Sequence, residues 1–144
     1  MRTTILVLAN QTASSEELVS TLEARASKTP VRLEFVVPPV GPDPASRADA
    51  ERRLEEALRR ARETGLEATG VVGDCDALAA VIEAYDPARH DEILVSTLPA
   101  SISHWMGIDL PARVARATNA LVTHVAVGEG SRGRRATPLE RSAP

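Results

Sequence analysis

A chain of 144 residues, 43% of them hydrophobic, fits one domain with one core. At this size roughly 70% of the unfolded surface is buried, so neither a disulfide nor a metal staple is needed, and the sole cysteine, Cys75, excludes a disulfide framework and a thiolate zinc cluster. The net charge of −3 argues against a general phosphate-backbone binder.

The apolar run at residues 5–9 is too short for a signal peptide, and nothing approaches the roughly 20 apolar residues of a membrane span. A cytoplasmic domain without nucleic-acid or membrane partners is therefore expected. Phe35, Tyr85 and Trp105 are the only aromatic residues. A core of Val, Leu, Ile and Ala suits thin parallel strands under Ala-rich helices.

In chain order, residues 4–9 form an uninterrupted apolar run, the mark of a strand covered on both faces. Ser14 and Glu17 offer a capping box for a helix carrying Leu18, Val19, Leu22 and Ala26. Residues 31–37 read as a second strand, and the proline-rich stretch 38–44 as a stiff loop. The next helix, 47–64, has an apolar stripe of Leu54, Ala57, Leu58 and Ala61 and stops at Gly65.

A third strand at 66–72 is weakened at Gly70. Asp74 or Asp76 then caps a helix with the stripe Leu78, Val81, Ile82 and Tyr85. Residues 92–96 give a fourth strand, 97–108 an irregular stretch, and Asp109 a plausible N-cap for a short helix reaching about Thr118, with Pro111 tolerated in its first turn. Residues 121–127 give the fifth strand. The ordered domain is thus 1–127, and 128–144, rich in Gly, Arg, Pro and Ser, reads as a disordered tail.

Alternating strands and helices with short connections predict an α/β fold, a parallel sheet sandwiched by four helices. Ligands of such sheets bind beyond the carboxyl ends of the strands, where strand order reverses. The residues to inspect are therefore 9–12, 37–39, 73–76 and those from Ser96 onward.

Several chemistries fail at those positions. The only lysine, Lys28, lies at a helix end, so no P-loop exists, and residues 10–13 contain no glycine for a dinucleotide fingerprint. A phosphoacceptor site would need acids at the end of the first strand, where Ala9 and Asn10 stand. His90, His104 and His124 lack metal-ligand spacing, and Ser101 or Ser103 with His104 lacks an orienting acid and a nucleophile elbow. Cys75, without a neighbouring His or second Cys, reads as a small buried residue. No catalytic and no metal residue is expected.

Over residues 3–127 the chain resembles a universal stress protein domain. That resemblance implies the strand order 3-2-1-4-5, a non-enzymatic role in stress response or regulation, and a homodimer. Nucleotide-binding members carry Gly-x2-Gly-x9-Gly-Ser/Thr after the fourth strand, and the aligned residues here are Ser96, Pro99, Asp109 and Leu110. The spacing matches while every glycine is replaced, as in a glycine-poor variant branch. Pro99 lacks an N–H and cannot reach positive φ, and Asp109 sets a carboxylate beside the expected phosphate.

The resemblance also implies that Asn10 stands where ATP-binding members have an Asp, that Val37 matches a base-contacting position, and that Gly73 matches a glycine starting the third helix. A cleft of Ala9, Asn10, Val37, Gly73, Ser96, Thr97, Pro99, Ser101, Asp109, Leu110 and Arg113 is the candidate nucleotide site. The expectation is weak or no ATP binding and no cofactor. The alternative is ATP or AMP held by substitute contacts at Asn10, Val37 and the helix start from Asp109 to Arg116.

The hydroxyls of Ser96, Thr97, Ser101 and Ser103, with Arg113 and Arg116, either hold a small anion or satisfy the loop and face water. Trp105 reads as a plug for the vacated cleft or as a contact surface for a protein partner. The last strand, with Leu121, Val125 and Val127, is a sheet edge through which the homodimer would form.

Overall fold

The computed structural model describes residues 2–99 and 103–128, together with the backbone of Thr137–Leu139. The elements run β1 (Thr3–Leu8), α1 (Glu16–Ala26), β2 (Val31–Val37), α2 (Pro44–Glu63), β3 (Glu67–Val72) and α3 (Ala77–Ala84). They continue with β4 (Glu92–Thr97), α4 (His104–Gly107), α5 (Leu110–Thr118), β5 (Val122–Ala126) and β6 (Thr137–Leu139). The sheet order is β3-β2-β1-β4-β5-β6. The first five strands are parallel, in the expected order, and β6 joins β5 antiparallel.

Strand parity divides the core. Ile5 and Val7 of β1, with Leu33 and Phe35 of β2, pack under Leu18 and Leu22 of α1 and Ala50, Ala57 and Ala61 of α2. Leu6 and Leu8, with Ile93 and Val95 of β4, face Ala77, Ala80 and Val81 of α3 and Leu110 and Val114 of α5. The central strands are covered on both faces, which is why they read as continuous apolar runs.

Local chemistry shifts several boundaries. Ser15, not Ser14, caps α1, its Oγ accepting from the Leu18 N–H at 3.1 Å. α2 begins at Pro44 rather than Arg47, because Asp43 caps it from the Ser46 N–H and proline suits the first helical position. Asp76 caps α3 by accepting from Leu78 and Ala79. The buried side of that helix is Ala77, Ala80 and Val81, while the expected stripe member Ile82 is 48% exposed. Gly65, at φ +87, makes the left-handed stop expected after α2.

One feature departs from the sequence reading. Five helices, not four, stand among the described residues, because Ser103 caps the short α4 within the supposedly irregular stretch. Within the stretch read as a tail, Thr137–Leu139 pair with Val122–His124 of β5. An edge strand carries unpaired N–H and C=O groups that recruit whatever backbone reaches them.

Candidate functional site

A cleft of about 360 Å³ opens at the carboxyl ends of β1, β2 and β4, where the strand order reverses. Asn10, Gln11 and Thr12 follow β1 on one side, and Pro38, Pro39 and Val40 follow β2. Ser96, Thr97 and Leu98 end β4, Cys75 enters from before α3, and Ser103, His104 and Trp105 close the remaining wall. No Lys, Arg, Asp or Glu is among these lining residues.

The floor is built from buried hydroxyls. Thr12, in the turn after β1, and Ser96 of β4, 3% and 1% exposed, share a hydrogen bond of 2.6 Å. The Thr97 hydroxyl meets His124 Nε2 of β5 at 2.8 Å. Ser103 Oγ accepts from the Met106 N–H at 3.2 Å. Asn10 Oδ1 accepts from the Arg53 guanidinium of α2 at 2.7 Å, although Arg53 itself does not line the cleft.

Of the residues expected at the site, Asn10, Ser96 and Thr97 line the cleft. Ala9, Val37 and Leu110 are each 0% exposed inside the core clusters, because strand and helix parity turns them away. Gly73 is held by its N–H to the Val37 carbonyl at 3.1 Å and pressed against Ala80. Pro99 lies past β4 outside the lining set, and Asp109 and Arg113 are exposed without lining it. Ser101 lies outside the described residues.

Two further expectations are corrected. Cys75 is exposed and lines the cleft instead of being buried. Trp105 does not plug the cleft: it packs half-buried against the α3–α5 side of the core and leaves the space open beside it. The residues that motif reasoning missed are Thr12, the Pro38–Pro39 corner as a wall, Cys75, and Arg53 behind Asn10. The post-strand windows 9–12, 37–39 and 73–76 already contained the first three.

The start of α5, where the resemblance places phosphate, has few donors left. The Asp109 N–H bonds to the Met106 carbonyl, Pro111 has no N–H, and the Arg113 N–H bonds to the Asp109 carbonyl. Only Leu110 and Ala112 keep spare donors there. Asp109 occupies the cap position in the left-handed region, φ 53, yet its side chain caps nothing. Its carboxylate therefore stands exposed beside the helix start, where it opposes a second anion.

Among the described residues, no group of three or more His, Cys, Asp or Glu could hold a metal ion, and no helix is long and apolar enough to cross a membrane. No family model and no curated protein matches the chain. Among solved structures it is similar to a universal stress protein in complex with cAMP, at 21% identity over 86% of this chain and 96% of that one, TM-score 0.57. It is also similar to a universal stress protein from Archaeoglobus fulgidus, at 20% identity over 85% and 92% of the two chains, TM-score 0.57. The chain has the universal stress protein fold.

Proposed function

We propose that this chain is a non-catalytic regulatory or stress-response domain whose cleft receives a small ligand and grips ATP weakly or not at all. The observation that carries the reading is the start of α5. Pro111 removes one of the four terminal donors, the Met106 carbonyl takes the Asp109 N–H, and the Asp109 carboxylate stands beside the two that remain. A triphosphate needs convergent donors and positive charge, and among the described residues no Lys or Arg lines the cleft.

Cys75 and His104 are the lining residues suited to acid–base or nucleophilic work, and no carboxylate among the described lining residues orients them, which supports a binding role over turnover. A cytoplasmic setting and a homodimer complete the reading. The dimer's contact would now involve β6, because that strand already covers Val122–His124 on the expected edge.

The second reading, a nucleotide held by substitute contacts, draws on Asn10, Ser96 and Thr97 lining one cleft and on the cAMP complex of a structural neighbour. Val37 and Arg113 do not line that cleft, so the substitute set is reduced to hydroxyls and one amide. A calorimetric titration with ATP·Mg²⁺ and with AMP separates the two. The first reading expects no saturable heat for ATP·Mg²⁺ below millimolar concentration. Micromolar binding of ATP·Mg²⁺ contradicts it.

A further inference from the structure

The Asn10 amide is oriented by a residue that no strand-end motif contains. Arg53 reaches it from α2, 43 positions along the chain, and donates to Oδ1 at 2.7 Å. A guanidinium has donors only, so the amide cannot turn its NH₂ toward Arg53 without opposing two donors. The oxygen is thereby held on the Arg53 side, and the two N–H bonds of Nδ2 are Asn10's free donors at the cleft. The guanidinium bond to Oδ1 polarises this amide, with Asp49 and Glu56 lining the same surface hollow as Arg53.

Two neighbouring hydroxyls add donors of the same kind. The Thr12–Ser96 bond uses one hydroxyl proton, which leaves the other proton of that buried pair without an acceptor. Ser103, 9% exposed, accepts from Met106 and keeps its own proton free. A buried donor left without an acceptor is costly, and a ligand acceptor recovers that cost on binding. Pro38, Pro39 and Trp105 supply flat apolar walls, and the cleft volume of about 360 Å³ falls within the small-molecule range.

We propose that the Arg53–Asn10 pair sets the hydrogen-bonding polarity of the cleft, so that it takes a flat, uncharged heterocycle whose carbonyl or ring-nitrogen acceptors face Asn10. Arg53 acts as a positioning residue, and Asn10 and the hydroxyls make the contacts. The proposal rests on the reading of this cleft as the working site. It adds the ligand class and the residue that selects it.

The test uses the full chain, labelled with ¹⁵N, and caffeine as probe, a flat uncharged molecule with acceptors and no N–H donor. AMP and ATP·Mg²⁺ are titrated in parallel. The expected result is saturable caffeine binding with movement of the Asn10 side-chain NH₂ signals. Asn10→Asp, which cannot donate, is expected to weaken binding about tenfold, the scale of one polarised hydrogen bond. Arg53→Met is expected to weaken it several-fold and to broaden or move the free-state Asn10 NH₂ signals, whereas Arg53→Lys, which keeps a donor and a charge, is expected to restore part of both. The remaining amide spectrum reports whether each variant is folded.

Absence of caffeine binding, or binding that leaves the Asn10 NH₂ signals and the Asn10→Asp affinity unchanged, overturns the proposal while leaving the weak-ATP reading intact. Tight ATP·Mg²⁺ binding that strengthens with each phosphate overturns both. Tight ATP·Mg²⁺ binding alongside caffeine binding that requires Asn10 overturns only the weak-ATP reading.

Discussion

Glu92 at the start of β4 receives two hydrogen bonds from the Arg25 guanidinium of α1, at 2.9 and 2.5 Å, and a third from the Thr123 hydroxyl of β5 at 2.8 Å. Glu92 is 3% exposed, whereas the Arg25 side chain is 31% exposed. One carboxylate thus joins a helix to two strands at the end of the sheet opposite the cleft. The bond to Glu92 is the main reason the Arg25 guanidinium is held above its ordinary pKa.

Removing that carboxylate strands Thr123 and a partly buried cation. Glu92→Ala is expected to cost about 2–3 kcal/mol of stability, below the full value for a buried pair because Arg25 reaches water. Glu92→Gln, which keeps the shape and one acceptor, is expected to cost less. Urea unfolding of the two variants checks the order, and equal losses would contradict it.

Gly73 leaves no room for a side chain. An added Cβ would sit 2.8 Å from the Ala80 Cβ and 3.2 Å from a Val36 methyl. Gly73→Ala is expected to destabilise by about 1–3 kcal/mol through overpacking between β3 and α3. Ala80→Gly in the same chain relieves the clash, so the double variant is expected to recover part of the loss. A thermal melt of the three variants measures this.

The Thr12–Ser96 bond is testable by a double-mutant cycle. Thr12→Val or Ser96→Ala alone leaves a buried hydroxyl unpaired and is expected to cost about 1–2 kcal/mol. Changing both is expected to cost less than the sum of the singles, by about 0.5–1.5 kcal/mol of coupling. Additive losses would show that the two hydroxyls do not support one another.

Acid stability follows from two exposed carboxylates, Asp43 at the N-cap of α2 and Glu56 within it. The Ser46 hydroxyl, followed by its N–H, holds Asp43 below the usual carboxylate range, and Arg59 followed by Arg60 does the same for Glu56. A folded-state pKa below the unfolded one contributes stability that is present above the unfolded value and lost as pH falls through the folded value. The unfolding midpoint is therefore expected to drop as pH is lowered through the carboxylate range and beneath it, from about 5 to about 3. Glu56→Gln is expected to reduce that pH dependence, modestly because the group is exposed. An unchanged slope would contradict the assignment.

The sheet was legible because β1, β2 and β4 bury both faces and so read as unbroken apolar runs. The α4 turn was not: His104-Trp105-Met106 has no period of its own and is helical only because Ser103 caps it. Thr137–Leu139 is a strand by virtue of the β5 edge, a tertiary partner that composition cannot reveal. At the site, the post-strand rule reached Asn10, Ser96 and Thr97, but alignment to the resembled motif also drew in Ala9, Val37 and Leu110, which parity turns into the core. Arg53 carried no local signal at all, since its role depends on α2, packed over β2 and β3, reaching the turn that follows β1.

The central claim, that the start of α5 does not grip phosphate, is tested most directly by amide spectra of the full chain under increasing ATP·Mg²⁺. The account predicts that the Leu110 and Ala112 N–H signals, the two spare donors of that turn, stay unmoved up to millimolar ligand. Saturable shifts of both signals at micromolar ATP·Mg²⁺ would contradict it.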